Sequence, residues 1–269
     1  MPRKRITITI KDDLLKQIDA MQDGVSVRSR SQAFEFLLSK VLSHSALHSA
    51  LVLAGGGKAM LVDRKPKFLV PLGEKFLLQR VVESLGDAGV RDFIIYSDTF
   101  SQEIREKLQD STPFNMKFVS AGKPEGTVKP LFRARKFLTE TFLLAYGDTL
   151  CSLNINEMVE FHRDNDSIAT IALTTVSNPS SFGVALLQGN KVSKFIQKPG
   201  KDIGSFLVNA GYFLFEPKIF SHLSKRDRSL EKDVLPRLAE KGLLFGYPFQ
   251  GLYVNVNTRK DLKRARILL

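Results

Sequence analysis

The chain has no tryptophan, one cysteine and four histidines in 269 residues. With Cys151 alone an internal disulfide is excluded, and a reducing, cytoplasmic setting is expected. His44 and His48 have a spacing that could grip a metal from one helix face. No cysteine or carboxylate stands near them, so they read as surface histidines. No apolar run approaches the roughly 20 residues that cross a bilayer. The basic start Pro2-Arg3-Lys4-Arg5 is not followed by a signal-peptide core, so neither membrane insertion nor export is expected. Acidic residues are scarce beside basic ones, 28 against 40, which leaves a net charge of +12. Such a charge raises the local concentration of polyanions, whether nucleic acid or phosphorylated metabolites; its plainer consequence is solubility. The length accommodates one ordinary domain plus a small appendage.

What the chain does have begins at its start. Ile6, Ile8 and Ile10 alternate with Arg5, Thr7 and Thr9, the period of two of a half-buried strand. A lone strand is not stable, so pairing with the same strand of a second molecule is expected. Asp12 and Asp13 open a helix whose apolar residues, Leu14, Leu15, Ile18 and Met21, share a face, and Gly24 can end it. Ser29 and Gln32 have capping-box spacing and open a second helix through Phe36, Leu37, Val41 and Leu42.

Strand, helix, helix in this order resembles the ribbon-helix-helix family of transcription factors over roughly residues 3 to 42. The resemblance implies a homodimer through the N-terminal strand, left open to pair further on DNA, and double-stranded DNA as partner. Arg5, Thr7 and Thr9 would face base edges. Backbone N–H groups near Ser29, with Arg28 or Arg30, would clamp a phosphate. The alternative is a dimerisation or toxin-binding module of the same topology without DNA.

Residues 44–49 read as a short connector. Beyond them strand and helix alternate: Leu51 to Leu53 a strand, Phe76 to Leu85 a helix, Phe93 to Tyr96 a strand. Gln102 to Leu108 follows as a helix, then Met116 to Val119, Val128 to Leu138 and Phe142 to Ala145 as strand, helix and strand. Repeated βα units predict a mostly parallel sheet that binds ligands at the carboxyl ends of its strands, here Ala54-Gly55-Gly56 and Gly147-Asp148. Glycines after a buried strand let backbone N–H groups approach phosphates. The spacing is not that of a Walker loop. Lys67, after Pro66, can supply a phosphate charge, and Asp148 is a candidate Mg²⁺ ligand.

The order of these segments resembles the sugar-1-phosphate nucleotidyltransferases across residues 50 to 266. The resemblance implies a Rossmann-like, GT-A-like mixed-sheet α/β domain. With the N-terminal module this divides the chain into 1–43, the linker 44–49, and 50–269. It assigns Ala54, Gly55, Gly56, Gly57 and Lys58 to the nucleotide loop, and Gly126 and Thr127 to the nucleobase. Gln197, Asn209 and Gly211 fall to the sugar, Lys67, Asp148 and Lys198 to catalysis, and Asp148 and Asn255 to Mg²⁺. Three positions depart from the family pattern. Met60 stands where an arginine grips the leaving phosphates; Lys58 or Arg64 is the candidate substitute, the lysine being a point charge without the guanidinium fork. Gln197 replaces a glutamate and Asn255 a second metal-binding aspartate, which weakens the metal site.

All three departures remove charge, whereas the N-terminal module keeps each residue type its chemistry asks for. The sequence therefore predicts a ligand-responsive, DNA-binding transcriptional regulator whose nucleotidyltransferase-like domain senses a nucleotide, sugar phosphate or nucleotide sugar. The alternative is an active transferase making NDP-sugar and pyrophosphate from NTP and sugar 1-phosphate. The basic segments Lys225 to Arg228 and Arg259 to Arg266 either extend a DNA-contacting surface or are solvated faces.

Overall fold

The computed structural model describes residues 6–22, 27–43, 47–56, 61–62, 65–200 and 204–268, with the side chains of 39–43 excepted. Arg5, Gly24, His44, Gly57, Lys58, Met60 and Arg64 lie outside this set. The chain divides into two compact units, residues 1–46 and 47–269.

In the first unit α1 spans Asp12–Asp19 and α2 spans Arg30–Ser43. Two aspartates in the first turn of α1 complement its dipole. At the start of α2 the Gln32 N–H donates to Ser29 Oγ at 3.3 Å, while Gln32 Oε1 accepts the Arg28 N–H at 2.7 Å. The expected cap thus forms, with its return bond one residue early. Ile18, Val27 and Ala33 make a small core, flanked by Ile10, Phe34 and Leu37. Residues 6–10 form no strand, and Ile6 and Ile8 are exposed. Alternation supplies a face but no ladder, and none of the described residues of the same chain pairs with this segment.

In the second unit β1 (Ser49–Ala54) leads into two short hairpins. They are built from β2 (Leu61–Val62) with β3 (Lys65–Pro66), and β4 (Pro71–Leu72) with β5 (Lys75–Phe76). Then come α3 (Leu77–Asp87), β6 (Asp92–Ser97), α4 (Ser101–Gln109), β7 (Asn115–Ser120) and α5 (Lys129–Ala134). β8 (Phe142–Tyr146), β9 (Thr149–Cys151), α6 (Ile155–Asp164), β10 (Ala169–Thr175), β11 (Gly183–Gln188) and β12 (Lys191–Gln197) continue the chain. It finishes with β13 (Leu207–Phe215), α7 (Leu235–Glu240), β14 (Leu244–Pro248), β15 (Tyr253–Asn255) and α8 (Arg259–Leu268).

Nine strands form one mixed sheet in the order β10-β14-β12-β11-β13-β8-β1-β6-β7, and β10 also pairs with β13. β8, β1, β6 and β7 run parallel; β13 is antiparallel to β8. The two faces of β1 show why it lies inside the sheet, between β8 and β6. Ala50, Val52 and Ala54 pack into one core with Leu78, Val81 and Leu85 of α3, Ile104 of α4 and Met158 of α6. Leu51 and Leu53 pack into the other with Leu131 of α5 and Leu235 and Leu238 of α7. A strand covered on both sides is continuously apolar, as its sequence is. The parallel half matches the expected elements; the other half, β10 to β14, pairs antiparallel except for β14, which runs parallel to β10.

Candidate active site

β1 and β8 are parallel neighbours, so the Gly55-Gly56 turn and the Gly147-Asp148 turn leave the sheet on the same side. The Gly147 N–H donates to the Leu53 carbonyl at 2.9 Å and ties the two turns together. Lys67 opens a single 3₁₀ turn over Lys67–Leu69 and is only 3% exposed. Its ammonium forms an ion pair with Asp148 Oδ2 and donates to Asn257 Oδ1 at 2.9 Å. Asp148 Oδ1 accepts the Thr149 hydroxyl at 3.0 Å. β15 lies antiparallel on β9 with Asn255 opposite Thr149, and the Val256 N–H donates to the Asp148 carbonyl at 2.9 Å. Asn255 is thereby held beside Asp148. Its Oδ1 accepts Asn257 Nδ2 at 2.5 Å.

The glycine turn is held from inside. Asp98, buried after β6, accepts the Gly56 N–H at 2.6 Å and the Thr99 N–H at 2.5 Å. A Cβ on Gly55 would stand 2.9 Å from Asp98 Oδ2, so the turn needs glycine there. The Gly56 N–H, one of the donors expected to meet phosphate, is committed to a carboxylate. Beside it Tyr96 is buried. Burial, with Glu125 and Asp98 close by, pushes this phenol up to about 12.

Gly126 has φ +82°, and a Cβ there would lie 2.2 Å from the Arg228 carbonyl oxygen. That close approach lets the Thr127 N–H donate to the same oxygen at 2.9 Å. The Thr127 hydroxyl donates to Glu231 Oε2 at 3.2 Å and accepts the Leu230 N–H at 2.7 Å. Glu231 lies in a π-turn, Leu230–Val234, and also receives the Ser229 hydroxyl at 2.8 Å and the hydroxyl of Tyr146. Burial above all, and then the Glu231 charge, hold the Tyr146 phenol well above its ordinary pKa, so it remains a donor. Gly126 and Thr127 therefore anchor Glu231 beside the end of β8.

Among the sugar residues, Gln197 ends β12 opposite Gly183, and its Oε1 is buried with no hydrogen-bond partner among the described residues. Asn209 and Gly211 lie on β13, where Asn209 Oδ1 accepts the Gly211 N–H at 2.8 Å. Gly211 has φ +78° and packs against the Tyr146 ring, which fixes its place next to β8. Lys198 is exposed, with φ +51°, and its N–H donates to the Phe182 carbonyl at 2.8 Å. Lys67 is thus joined directly to Asp148 and, through Asn257, to Asn255, while Gln197 and Lys198 sit at the C-terminal end of β12. Asn257 and Asp98 were not singled out in the sequence. Asn257 shares the strand-end face of Asn255 two residues on, and Asp98 is the first acidic residue after a buried strand; each is a local signal.

Asp148 and Asn255 offer hard oxygen donors of the kind Mg²⁺ accepts alongside substrate phosphates. Among the described residues no three His, Cys, Asp or Glu side chains gather to hold a metal ion.

Residues 49–261 match the family model described as nucleotidyl transferase. The chain belongs to the nucleotidyl transferase family. It is 32% identical over 222 residues to a mannose-1-phosphate guanyltransferase of Yarrowia lipolytica, covering 78% of this chain and 61% of that protein. It is 32% identical over 224 residues to the catalytic subunit beta of mannose-1-phosphate guanylyltransferase of Danio rerio, covering 79% and 62%. The chain thus spans about three fifths of the length of these relatives. A Bacillus anthracis protein assigned as a glucose-1-phosphate thymidylyltransferase shares the fold, with TM-score 0.74 and 23% identity over 82% of this chain and 94% of that one.

These relatives overturn the reading of this nucleotidyl transferase family member as a DNA-binding transcriptional regulator; they favour the enzyme alternative. Arg30, expected on a DNA phosphate, is held by Asp19 in a two-point ion pair at 2.6 and 2.7 Å. Thr7 and Thr9 are exposed, in a segment that forms no ribbon among the described residues, and Ser29 caps α2. No helix among the described residues is long and apolar enough to cross a membrane.

Proposed function

We propose that the chain transfers a nucleotidyl group from an NTP to a sugar 1-phosphate, with GTP and mannose 1-phosphate as the favoured pair. The observation that carries this reading is the buried Lys67–Asp148 pair at the joined ends of β1 and β8. A sugar phosphate oxygen attacks the α-phosphorus, the bond to the β-phosphate oxygen breaks, and pyrophosphate leaves with the electron pair. Negative charge grows on the phosphoryl oxygens in that step, and the protein's part is to place and neutralise it. Lys67 supplies a fixed positive charge in a site shielded from water, where it acts more strongly than on the surface. Asp148 orients that ammonium and, with Asn255, is the set that would hold Mg²⁺; bound there, the ion would neutralise phosphate charge. The orphaned Gln197 Oε1 accepts a sugar hydroxyl, and Glu231 orders the wall formed by Tyr146 and Thr127. Residues 47–269, the second compact unit, are the catalytic domain in this reading, so the connector ends before Leu47 and not at residue 49.

The test is pyrophosphate release by the purified chain with Mg²⁺, each of the four common NTPs, and mannose or glucose 1-phosphate. GTP with mannose 1-phosphate should be fastest. No release from any pair would overturn the reading.

Exposed Ile6 and Ile8 support a second, smaller proposal, that two copies of the chain pair along residues 6–10. Sedimentation velocity should then show a dimer that Ile8→Lys dissociates; a monomer at every concentration would refute it.

A further inference from the structure

Lys67 raises a problem that the transfer reaction must solve. Its ammonium is almost fully buried, and one of its two partners is the carboxylate that would also serve a divalent cation. A cation drawing on Asp148 competes with Lys67 for the same oxygen, and a buried ammonium stripped of its partner is strongly unfavourable. Asn257 is placed to resolve this. Its Oδ1 accepts from Lys67 Nζ at 2.9 Å, and its Nδ2 donates to Asn255 Oδ1 at 2.5 Å. The Asn257 N–H donates to Asp261 Oδ2 at 3.1 Å, as does the Thr258 N–H at 2.9 Å, so the start of α8 fixes the residue's backbone. With its NH₂ on Asn255 and its backbone on Asp261, the Asn257 carbonyl faces the lysine.

We propose that Asn257 is a positioning residue, the second anchor that keeps Lys67 in the site when Asp148 turns to a divalent cation. Asn255 acts with it by orienting the Asn257 amide. This rests on the proposed nucleotidyl transfer and adds to it a residue outside the expected catalytic set. Without Asn257, Lys67 keeps Asp148 as its one polar partner among the described residues and gives it up reluctantly. The cation therefore binds more weakly, although Asn257 does not ligate it.

The experiment is Mn²⁺ binding to the intact protein, followed by electron paramagnetic resonance with the metal alone, in a double-mutant cycle with Lys67. Asn257→Ala should weaken Mn²⁺ binding by about tenfold, the lower end of what outer-shell residues contribute. Asn257→Asp, which keeps an acceptor for the lysine, should bind Mn²⁺ at least as tightly as the parent. In a Lys67→Met background, where no ammonium competes, Asn257→Ala should have no further effect. Equal Mn²⁺ affinity in the parent and Asn257→Ala would overturn the proposal. So would an equal loss in the Lys67→Met background, or a parent chain that releases pyrophosphate but binds no Mn²⁺. If the parent binds Mn²⁺ with this pattern yet releases no pyrophosphate, the positioning role stands and the transfer reading fails.

Discussion

At the scale of single residues the account turns on Lys67. Its sequence signal was only a lysine after a proline, and it is the order of segments that picks it out. Burial and the Asp148 partner give it chemical meaning. Lys67→Met should lower pyrophosphate release by about a hundredfold or more, the usual cost of removing a group aimed at developing charge. Steady-state kinetics at saturating substrates checks this. Asn257 was not legible because its contribution depends on a lysine 190 positions away. Asp98 was hidden for a similar reason: only the fold brings its carboxylate under Gly56.

At the scale of elements the parallel half of the sheet was readable, because β1, β6 and β8 are short apolar runs bounded by turns. The N-terminal alternation over residues 6–10 was equally clear yet makes no strand, since a face without a partner closes no hydrogen bonds. Gly126 shows how one turn couples elements. Gly126→Ala places a Cβ against the Arg228 carbonyl at a positive φ. It should destabilise the protein by about 2 kcal/mol or more. That would lower Tm by roughly 4–8 °C in a domain of this size. Calorimetry reads it, and an unchanged Tm would mean that the Thr127–Arg228 contact is not maintained.

A second element-scale expectation concerns acid stability. Between α6 and β13, the buried His162 bonds Thr170 at 2.7 Å and Glu216 at 3.3 Å, and the Thr141 hydroxyl donates to Glu216 at 2.6 Å. The bond from His162, and with it the Thr141 hydroxyl, holds the Glu216 carboxyl below its ordinary range despite partial burial. A depressed folded-state pKa contributes stability above the unfolded value of about 4.3 and loses it as pH falls through the folded value. Glu216→Gln should therefore be less stable than the parent at neutral pH, with the gap closing in strong acid. Urea midpoints across that range decide it, and a gap independent of pH would contradict the assignment.

At the scale of the whole molecule, the net charge of +12 was compatible with either a nucleic acid or a phosphorylated substrate, so it could not choose between them. The losses of charge at Met60, Gln197 and Asn255, taken together, pointed away from catalysis. In the fold, Asn255 instead bonds the amide that faces Lys67. Because each unit has its own core, residues 47–269 alone should unfold cooperatively and keep releasing pyrophosphate at a rate close to that of the full chain. Circular dichroism melts and the same release assay on that fragment test this. The most direct measurement for the central claim follows the transferred atom. GTP labelled at its α-phosphorus is incubated with the intact protein, Mg²⁺ and mannose 1-phosphate, beside an Asp148→Asn variant. Label should appear in GDP-mannose with the parent and almost none with the variant; label that stays in GTP with the parent would rule out the transfer.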